Sequence, residues 1–125
     1  MPIQYARDDA HRRLMVTVEG PFQRSEILTV IERQRTEDTW SYGLLYDLRR
    51  ATGHPTLAEL REIMDDAAAW RAAEGSRGPV ALLATEPIMY GRLCTYAALG
   101  QSKLTIQVFC DLDQADAWLA AATTK

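Results

Sequence analysis

Two aspartates that sit beside apolar runs are the residues of this 125-residue chain with the most suggestive positions for catalysis. Asp47 lies in the run Leu44-Leu45-Tyr46-Asp47-Leu48, and Asp111 follows Val108-Phe109-Cys110. Ligands of parallel α/β sheets gather at the carboxyl ends of the strands, where two carboxylates could transfer a proton or bind a divalent cation. Aspartates at strand ends more often accept backbone N–H groups or pair with arginine, and we favour that interpretation here.

A basic segment just before a predicted helix offers a different chemistry, the binding of an anion. The helix is predicted to begin at Thr56, and its N-terminal N–H groups, like nearby guanidinium groups, would favour negative charge. An acidic partner segment or a phosphate-bearing molecule would suit this place. The predicted contact residues are Arg49, Arg50, Thr52 and His54. The alternatives are a solvated loop, and an Arg49 that only pairs with Asp47 or Glu86.

The sequence predicts no cofactor and no metal site. The two histidines, His11 and His54, are far apart, and neither has a cysteine at a ligand spacing typical of zinc. Neither glycine-rich phosphate-binding motif occurs. Cys94 and Cys110 show no C-x-x-C pattern and are expected to behave as small buried apolar residues. A Cys–His nucleophile pair stays open, with Cys110 the better candidate of the two.

Composition and charge exclude several broad classes of protein. The formal net charge of −3 is opposite to the basic footprint of a nucleic-acid-binding domain. No apolar run approaches the roughly 20 residues of a membrane span. The first residues show no basic segment followed by a long apolar one, so we expect no secretory signal and a cytoplasmic protein.

The order of strand and helix signals predicts an α/β fold. Five strands are expected at residues 3–6, 14–18, 44–48, 80–84 and 105–109. The first two would form a β-hairpin, and helices are expected at residues 25–37 and 56–74, from Ile88, and after Asp111. Because parallel strands need helical crossovers, this β-β-α-β-α-β-α-β-α order predicts a mostly parallel five-stranded sheet. No repeat or linker interrupts it, so residues 1–125 are predicted to form one domain.

Burial can be predicted for several parts of this arrangement. Strand residues 44–46, 80–84 and 106–109 are expected to be central and mostly buried. Ser25 and Thr56 are the predicted N-caps of the first two helices, and Glu59 would complete a capping box with Thr56. Core positions are also expected for three methionines, Met15, Met64 and Met89. Trp40 is the one aromatic residue for which we expect exposure. His11 is expected to be exposed and to have no partner.

Three segments resemble the SpoIIAA-like proteins, relatives of STAS domains whose fold is shared with CRAL-TRIO lipid-binding domains. Residues 44–49 resemble the family's strand ending in Asp-Leu-Arg, and Tyr90-Gly91-Arg92-Leu93 resembles its Tyr-Gly-x-x-Arg-Met region. Residues 108–111, together with Ala115, Ala117, Trp118 and Leu119, resemble its closing signature. The resemblance implies a STAS-like fold over nearly the whole chain.

The resemblance also implies a mode of action. STAS relatives such as anti-sigma-factor antagonists are protein-binding switches that are phosphorylated on a serine after the third strand. Only Thr52-Gly53 matches that position here, and the preceding aspartate is missing, so we expect Thr52 not to be phosphorylated. The sequence therefore favours a non-enzymatic module that binds another protein or itself. The alternatives are a binder of a small apolar or lipid-like ligand, and an enzyme that uses Asp47 or Asp111.

Overall fold

The α/β order is confirmed by the structure, a computed structural model that describes residues 3–52, 56–74, 78–100 and 105–123. The elements are β1 (Ile3–Asp8), β2 (Arg13–Gly20), α1 (Arg24–Thr36), β3 (Gly43–Ala51), α2 (Leu57–Glu74), β4 (Val80–Leu83), α3 (Pro87–Gly100), β5 (Ile106–Phe109) and α4 (Leu112–Thr123). No helix within these residues is long and apolar enough to span a bilayer.

The five strands lie in the sheet in the order in which they occur along the chain. Strands β1 and β2 pair antiparallel as a hairpin, and the pairs β2–β3, β3–β4 and β4–β5 are parallel. This confirms the mostly parallel sheet. Strand β5 is an edge strand, however, so the prediction that residues 106–109 are central was wrong. Ile106 and Phe109 are buried, whereas Gln107 is exposed and Val108 is half-buried.

Apolar side chains cover both faces of the central strands, because alternate residues of a strand point to opposite sides. Leu44, Tyr46 and Leu48 of β3 join a core cluster that includes side chains from α1, α2 and α3. Leu45 points the other way and packs in a second cluster with α4. All four residues of β4 are buried, as expected for a parallel strand covered on both faces.

Two element boundaries differ from the predictions. Strand β3 continues through Arg49 and Arg50 to Ala51, because β2 extends far enough to pair with it at Glu19 and Gly20. The segment that begins at Arg49 is therefore strand at first, not the irregular link expected from the sequence. Helix α1 begins at Arg24, with Gln23 rather than Ser25 at the N-cap.

Two burial predictions were also wrong. Trp40 is only 6% exposed, because the chain after α1 folds back so that the Thr39 N–H donates to the Gln34 carbonyl. Met15 is 39% exposed, because it alternates with the buried Leu14 and Val16 and so points to the opposite face of β2. Met64 and Met89 are buried, as predicted.

Candidate functional site

The carboxyl ends of the parallel strands meet the N-termini of the helices, and polar side chains there bind backbone N–H groups. Thr56 and Glu59 form the predicted capping box of α2, with both reciprocal N–H···O distances at 3.1 Å. At α3, the Glu86 carboxylate accepts the N–H groups of Ile88 and Met89 at 3.2 and 2.8 Å. Each side chain thus satisfies donors that a helix start leaves without an intrahelical partner.

Asp111 has the same role at the start of α4. Its Oδ1 accepts the N–H groups of Asp113 at 2.8 Å and Gln114 at 3.3 Å. The cap is an ordinary structural use of aspartate, and it engages one of the two carboxylate oxygens. Asp111 follows β5, which β4 separates from β3 and Asp47. Two strand spacings are about 10 Å, too far for the two carboxylates to share a proton.

Asp47 is held by Arg49, two residues further along the same face of β3. The Arg49 guanidinium donates to both carboxylate oxygens, from Nε at 3.0 Å and from Nη2 at 2.9 Å. The hydrogen bonds from Arg49 lower the pKa of Asp47, and the same bonds raise the pKa of Arg49. The sequence analysis had kept this pairing of Arg49 with Asp47 open as an alternative to anion binding by Arg49.

The structure separates the side chains of the two arginines among the predicted anion-contact residues. Arg49 and Arg50 are consecutive strand residues, so their side chains leave opposite faces. Arg50 is largely exposed and lies 3.4 Å from Glu19, and the Thr52 N–H donates to the Gly20 carbonyl at 2.9 Å. His54 lies outside the described residues. Anion binding by Arg49, Arg50, Thr52 and His54 stays a prediction.

A surface cleft lies beside these helix starts, between the first turns of α2 and α3. The α2–α3 cleft has a volume of about 500 Å³ and is lined by Thr56, Leu57, Pro87, Ile88, Gly91, Arg92 and Thr95. The Leu57 side chain is 48% exposed and that of Ile88 is 51% exposed. Two large apolar residues thus remain in contact with water at the mouth of the cleft. Each is already half-buried, so burying the rest of each side chain would be favourable by roughly 1 kcal/mol.

Neither Leu57 nor Ile88 was singled out from the sequence as a functional residue. Each is the first or second residue of its helix and follows a residue typical of helix starts, Thr56 or Pro87. The spacing from Leu57 to the buried Leu60 even fits the core-facing stripe of α2. Their exposure depends on how far apart the two helix starts lie, which a single sequence does not encode in any local pattern.

The core contains a small apolar cavity on the side of the sheet covered by α1, α2 and α3. Its volume is about 50 Å³, and Tyr46, Leu60, Leu82 and Tyr96 are among its lining residues. Pockets for small organic ligands usually measure about 300–1,000 Å³. The cavity has room for only a few water molecules, so it gives no support to the lipid-like-ligand alternative.

Three further residues differ from what the sequence suggested. Cys94 and Cys110 are both exposed rather than buried. His11 is exposed as predicted, but it has a partner, because its Nδ1 lies 2.8 Å from Oδ2 of Asp8. Among the residues that the structure describes, no group of three or more His, Cys, Asp and Glu side chains could hold a metal ion.

Comparisons with known proteins agree with the fold. No family model matches the chain, and no curated protein matches at a significant level. A solved structure, an anti-sigma factor antagonist from Mycobacterium paratuberculosis, is similar with a TM-score of 0.59 and 15% sequence identity. The likeness covers 94% of this chain and 93% of that chain. It confirms the STAS-like fold that the sequence resemblance implied.

Proposed function

We propose that this protein is a non-enzymatic interaction module, and that the α2–α3 cleft receives a segment of a partner protein. The observation that carries the proposal is the pair of half-exposed apolar side chains, Leu57 and Ile88, at one open cleft. Both side chains line the same cleft, and clustering of exposed apolar side chains is what distinguishes interaction surfaces from singly exposed residues. An aliphatic or aromatic anchor seated in such a cleft commonly supplies much of the binding energy of an interface.

The occupant we propose is a protein segment that presents an aliphatic side chain. The cleft is an open surface feature with apolar side chains at its mouth, whereas small-molecule sites enclose most of their ligand. The similar solved structure is an anti-sigma factor antagonist, a kind of protein whose named role is directed at another protein. That role supports a protein partner here by analogy of fold.

The described residues supply no catalytic constellation at this end of the sheet. Glu59, Glu86 and Asp111 accept backbone N–H groups of helices, and Asp47 pairs with Arg49. Carboxylates engaged in this way are poor general bases, because protonation would break the hydrogen bonds that hold them. These assignments support a binding role over the alternative of an enzyme that uses Asp47 or Asp111.

The test is a set of matched substitutions in the full chain. Ile88→Ser removes an apolar wall of the cleft, and Leu99→Ser removes a similarly exposed apolar side chain, 42% exposed, from the far end of the same helix. Each tagged variant and the wild type would capture proteins from a lysate of the host, with quantification by mass spectrometry. Any captured protein is then purified, and its Kd for each variant is measured by calorimetry.

We expect one protein to be retained by the wild type and by Leu99→Ser, and to bind Ile88→Ser at least about tenfold more weakly. Equal Kd values for all three proteins would contradict the proposed docking site. Light scattering of each variant over a range of concentrations separates a second copy of this chain from a different partner. A small molecule retained in native mass spectrometry would contradict the protein-segment proposal and favour the ligand alternative.

A further inference from the structure

A groove runs between the edge strand β1 and helix α1. Its volume is about 190 Å³. The lining residues are Ile3, Tyr5, Glu26, Thr29, Val30 and Arg33. Strand β1 is the first strand of the described sheet and pairs with β2, so every second residue of β1 directs its N–H and C=O groups away from that pairing. An edge of this kind can accept another strand.

Charges of opposite sign stand at the two ends of the groove. Glu26 and Arg33 are seven residues apart on α1, so they lie on the same face of the helix. The Arg33 guanidinium lies 3.9 Å from the centre of the Tyr5 ring, which places it at the Tyr5 end. Because α1 connects the parallel strands β2 and β3, it runs opposite to β2, as β1 does. Glu26 therefore lies about 10 Å back along the helix, toward Ile3.

Both charged groups can bind a further partner. Arg33 donates from Nε to Glu37 at 2.6 Å, and a guanidinium carries several other N–H groups. One oxygen of Glu26 accepts the Gln23 N–H at 2.8 Å, and a carboxylate accepts hydrogen bonds on both of its oxygens. The Arg33 side chain is 50% exposed, so a carboxylate from outside can reach it.

We infer that this groove is the interface of a homodimer, in which the β1 strands of two copies pair antiparallel about a two-fold axis. An axis through Gln4 sets Ile3 opposite Tyr5 of the second copy, on the same face of the joined sheet. The same axis sets Glu26 opposite Arg33 of the second copy, since these two charges flank the centre of the groove. Each contact then occurs twice, as a two-fold interface requires.

This self-complementarity favours a second copy over a different protein. A segment of another protein would have to present an acid, a base and an apolar residue in matching order, whereas a second copy already carries them. Strand pairing would also cover an edge that is otherwise open to pairing with other chains. The groove shares no lining residue with the α2–α3 cleft, so the inference does not depend on the proposed docking function.

The test reverses one charge at a time in the full chain. Glu26→Arg and Arg33→Glu would each set like charges against one another across the axis, which is unfavourable. An equimolar mixture of the two variants restores both opposite-charge pairs, because each variant carries the charge that the other lacks. The matched control is Glu32→Arg, the same change at an exposed position of α1 that does not line the groove. Analytical ultracentrifugation measures the dimer Kd in each case.

We expect the wild type and Glu32→Arg to dimerise with similar Kd values, and each groove variant to have a Kd at least about tenfold higher. The mixture should recover dimers, which a folding defect cannot explain, and high salt should weaken the wild-type dimer. A wild type that is still monomeric at about 1 mM, or charge reversals without recovery on mixing, would overturn the inference. Dimers that dissociate in Ile88→Ser but in neither groove variant would also overturn it and place self-association at the α2–α3 cleft.

Discussion

At the end of the sheet where the parallel strands begin (the N-terminal edge), side chains from three parts of the chain bind one another. At the end where these strands finish (the carboxyl edge), the carboxylates that cap α2, α3 and α4 bind backbone N–H groups of their own helices. The Tyr42 hydroxyl and the Arg7 Nε both donate to Oδ1 of Asp9 at 2.7 Å. Arg7 also donates to Glu37 at 3.2 Å, and Glu37 accepts from Arg33 at 2.6 Å. These bonds connect the β1–β2 hairpin with the end of α1 and the loop before β3.

At the carboxyl edge, Arg24 joins α1 to α2 through ion pairs with Glu62 and Asp66, but the described carboxylates that cap helices form no network of this kind. Glu59, Glu86 and Asp111 each bind backbone N–H groups within three residues in sequence. The space between the starts of α2 and α3 is lined by the apolar side chains of Leu57, Pro87 and Ile88, together with polar side chains and Gly91. The cross-linked edge therefore fixes the strands, and the locally capped edge leaves a surface that can receive a partner.

The largest expected effect tests how tightly the N-terminal edge is packed. A Cβ added at Gly78 would meet the backbone carbonyl oxygens of Tyr42 and Ser41 at 2.2 and 2.5 Å. Backbone atoms cannot move aside as a flexible side chain can. We expect Gly78→Ala to lower the free energy of unfolding by about 3 kcal/mol, measured by urea denaturation.

The matched control is Gly91→Ala on α3, at the cleft. A Cβ at Gly91 would have no atom within 4 Å, and alanine favours a helix over glycine by up to about 1 kcal/mol. We therefore expect Gly91→Ala to raise the free energy of unfolding. Two destabilised variants would mean that the carboxyl edge is packed as closely as the N-terminal edge, and the contrast between the two edges would be lost.

A smaller effect is expected from the cap of α2. Thr56→Ala removes the hydroxyl that accepts the Glu59 N–H, which should cost about 1 kcal/mol of stability. Thr56→Ser keeps the acceptor and should cost less than half as much. Because the cap is local, amide hydrogen exchange should accelerate in the first turn of α2 and remain unchanged near Tyr42. Faster exchange at both edges would show that the caps are coupled to the rest of the fold.

A third prediction concerns two non-glycine residues with left-handed backbone, both at the N-terminal edge. Asp38, at the end of α1, has φ of 59°, and Arg12, at the end of the β1–β2 turn, has φ of 51°. Glycine tolerates this conformation without steric cost, so Asp38→Gly should raise the free energy of unfolding by about 0.5 kcal/mol.

Arg12→Gly should give no such gain, because the Arg12 side chain is part of the network. Its guanidinium lies 5.2 Å from the centre of the Tyr42 ring and donates to the Ser41 Oγ at 3.0 Å. Loss of these contacts should offset the relief of backbone strain. Equal stabilisation by both glycines, measured by urea denaturation, would show that the exposed contacts of Arg12 contribute nothing.

The parts of the fold that were predictable from the sequence are those set by near neighbours in the chain. The buried run of β4 and the Thr56–Glu59 capping box follow from apolar content and from a three-residue spacing. The edge position of β5 and the exposure of Met15 were not predictable in this way. Both depend on strand order and on which strands α4 covers, which are properties of the assembled sheet.

The candidate site was less predictable than the fold, for the same reason. Charged residues at strand ends drew attention to Asp47 and Asp111, yet their partners are an arginine two residues away and backbone N–H groups of the next helix. Leu57 and Ile88 were missed, because an apolar residue in a helix usually predicts burial. Only the spacing between two helices shows that these side chains face an open cleft.

The last prediction asks whether the N-terminal network stabilises the protein through the charge of Asp9. Hydrogen bonds from Tyr42 first, and then from Arg7, lower the pKa of Asp9 in the folded protein. A carboxyl group whose pKa is lower in the folded state stabilises the fold above its unfolded pKa of about 3.9, and this contribution is lost as pH falls through the folded pKa. Asp9→Asn should therefore shift the urea midpoint most at neutral pH, with a difference that shrinks toward pH about 3 and below.

The matched comparison uses Tyr42→Phe. This substitution removes the hydroxyl that donates to Asp9 and keeps the ring against which Arg7 and Arg12 lie. If Tyr42 is the main cause of the shift, Asp9→Asn and Tyr42→Phe should have strongly overlapping effects, and the double variant should be less destabilised than their sum. Because Asp9 is 62% exposed, its ion pair with Arg7 should also weaken at high salt, while the Tyr42 bond should not. If the difference in urea midpoint between wild type and Asp9→Asn does not change with pH, the network stabilises the protein through packing and not through the charge of Asp9. The two edges of the sheet would then differ in packing, and the charges that join the loops would be incidental to stability.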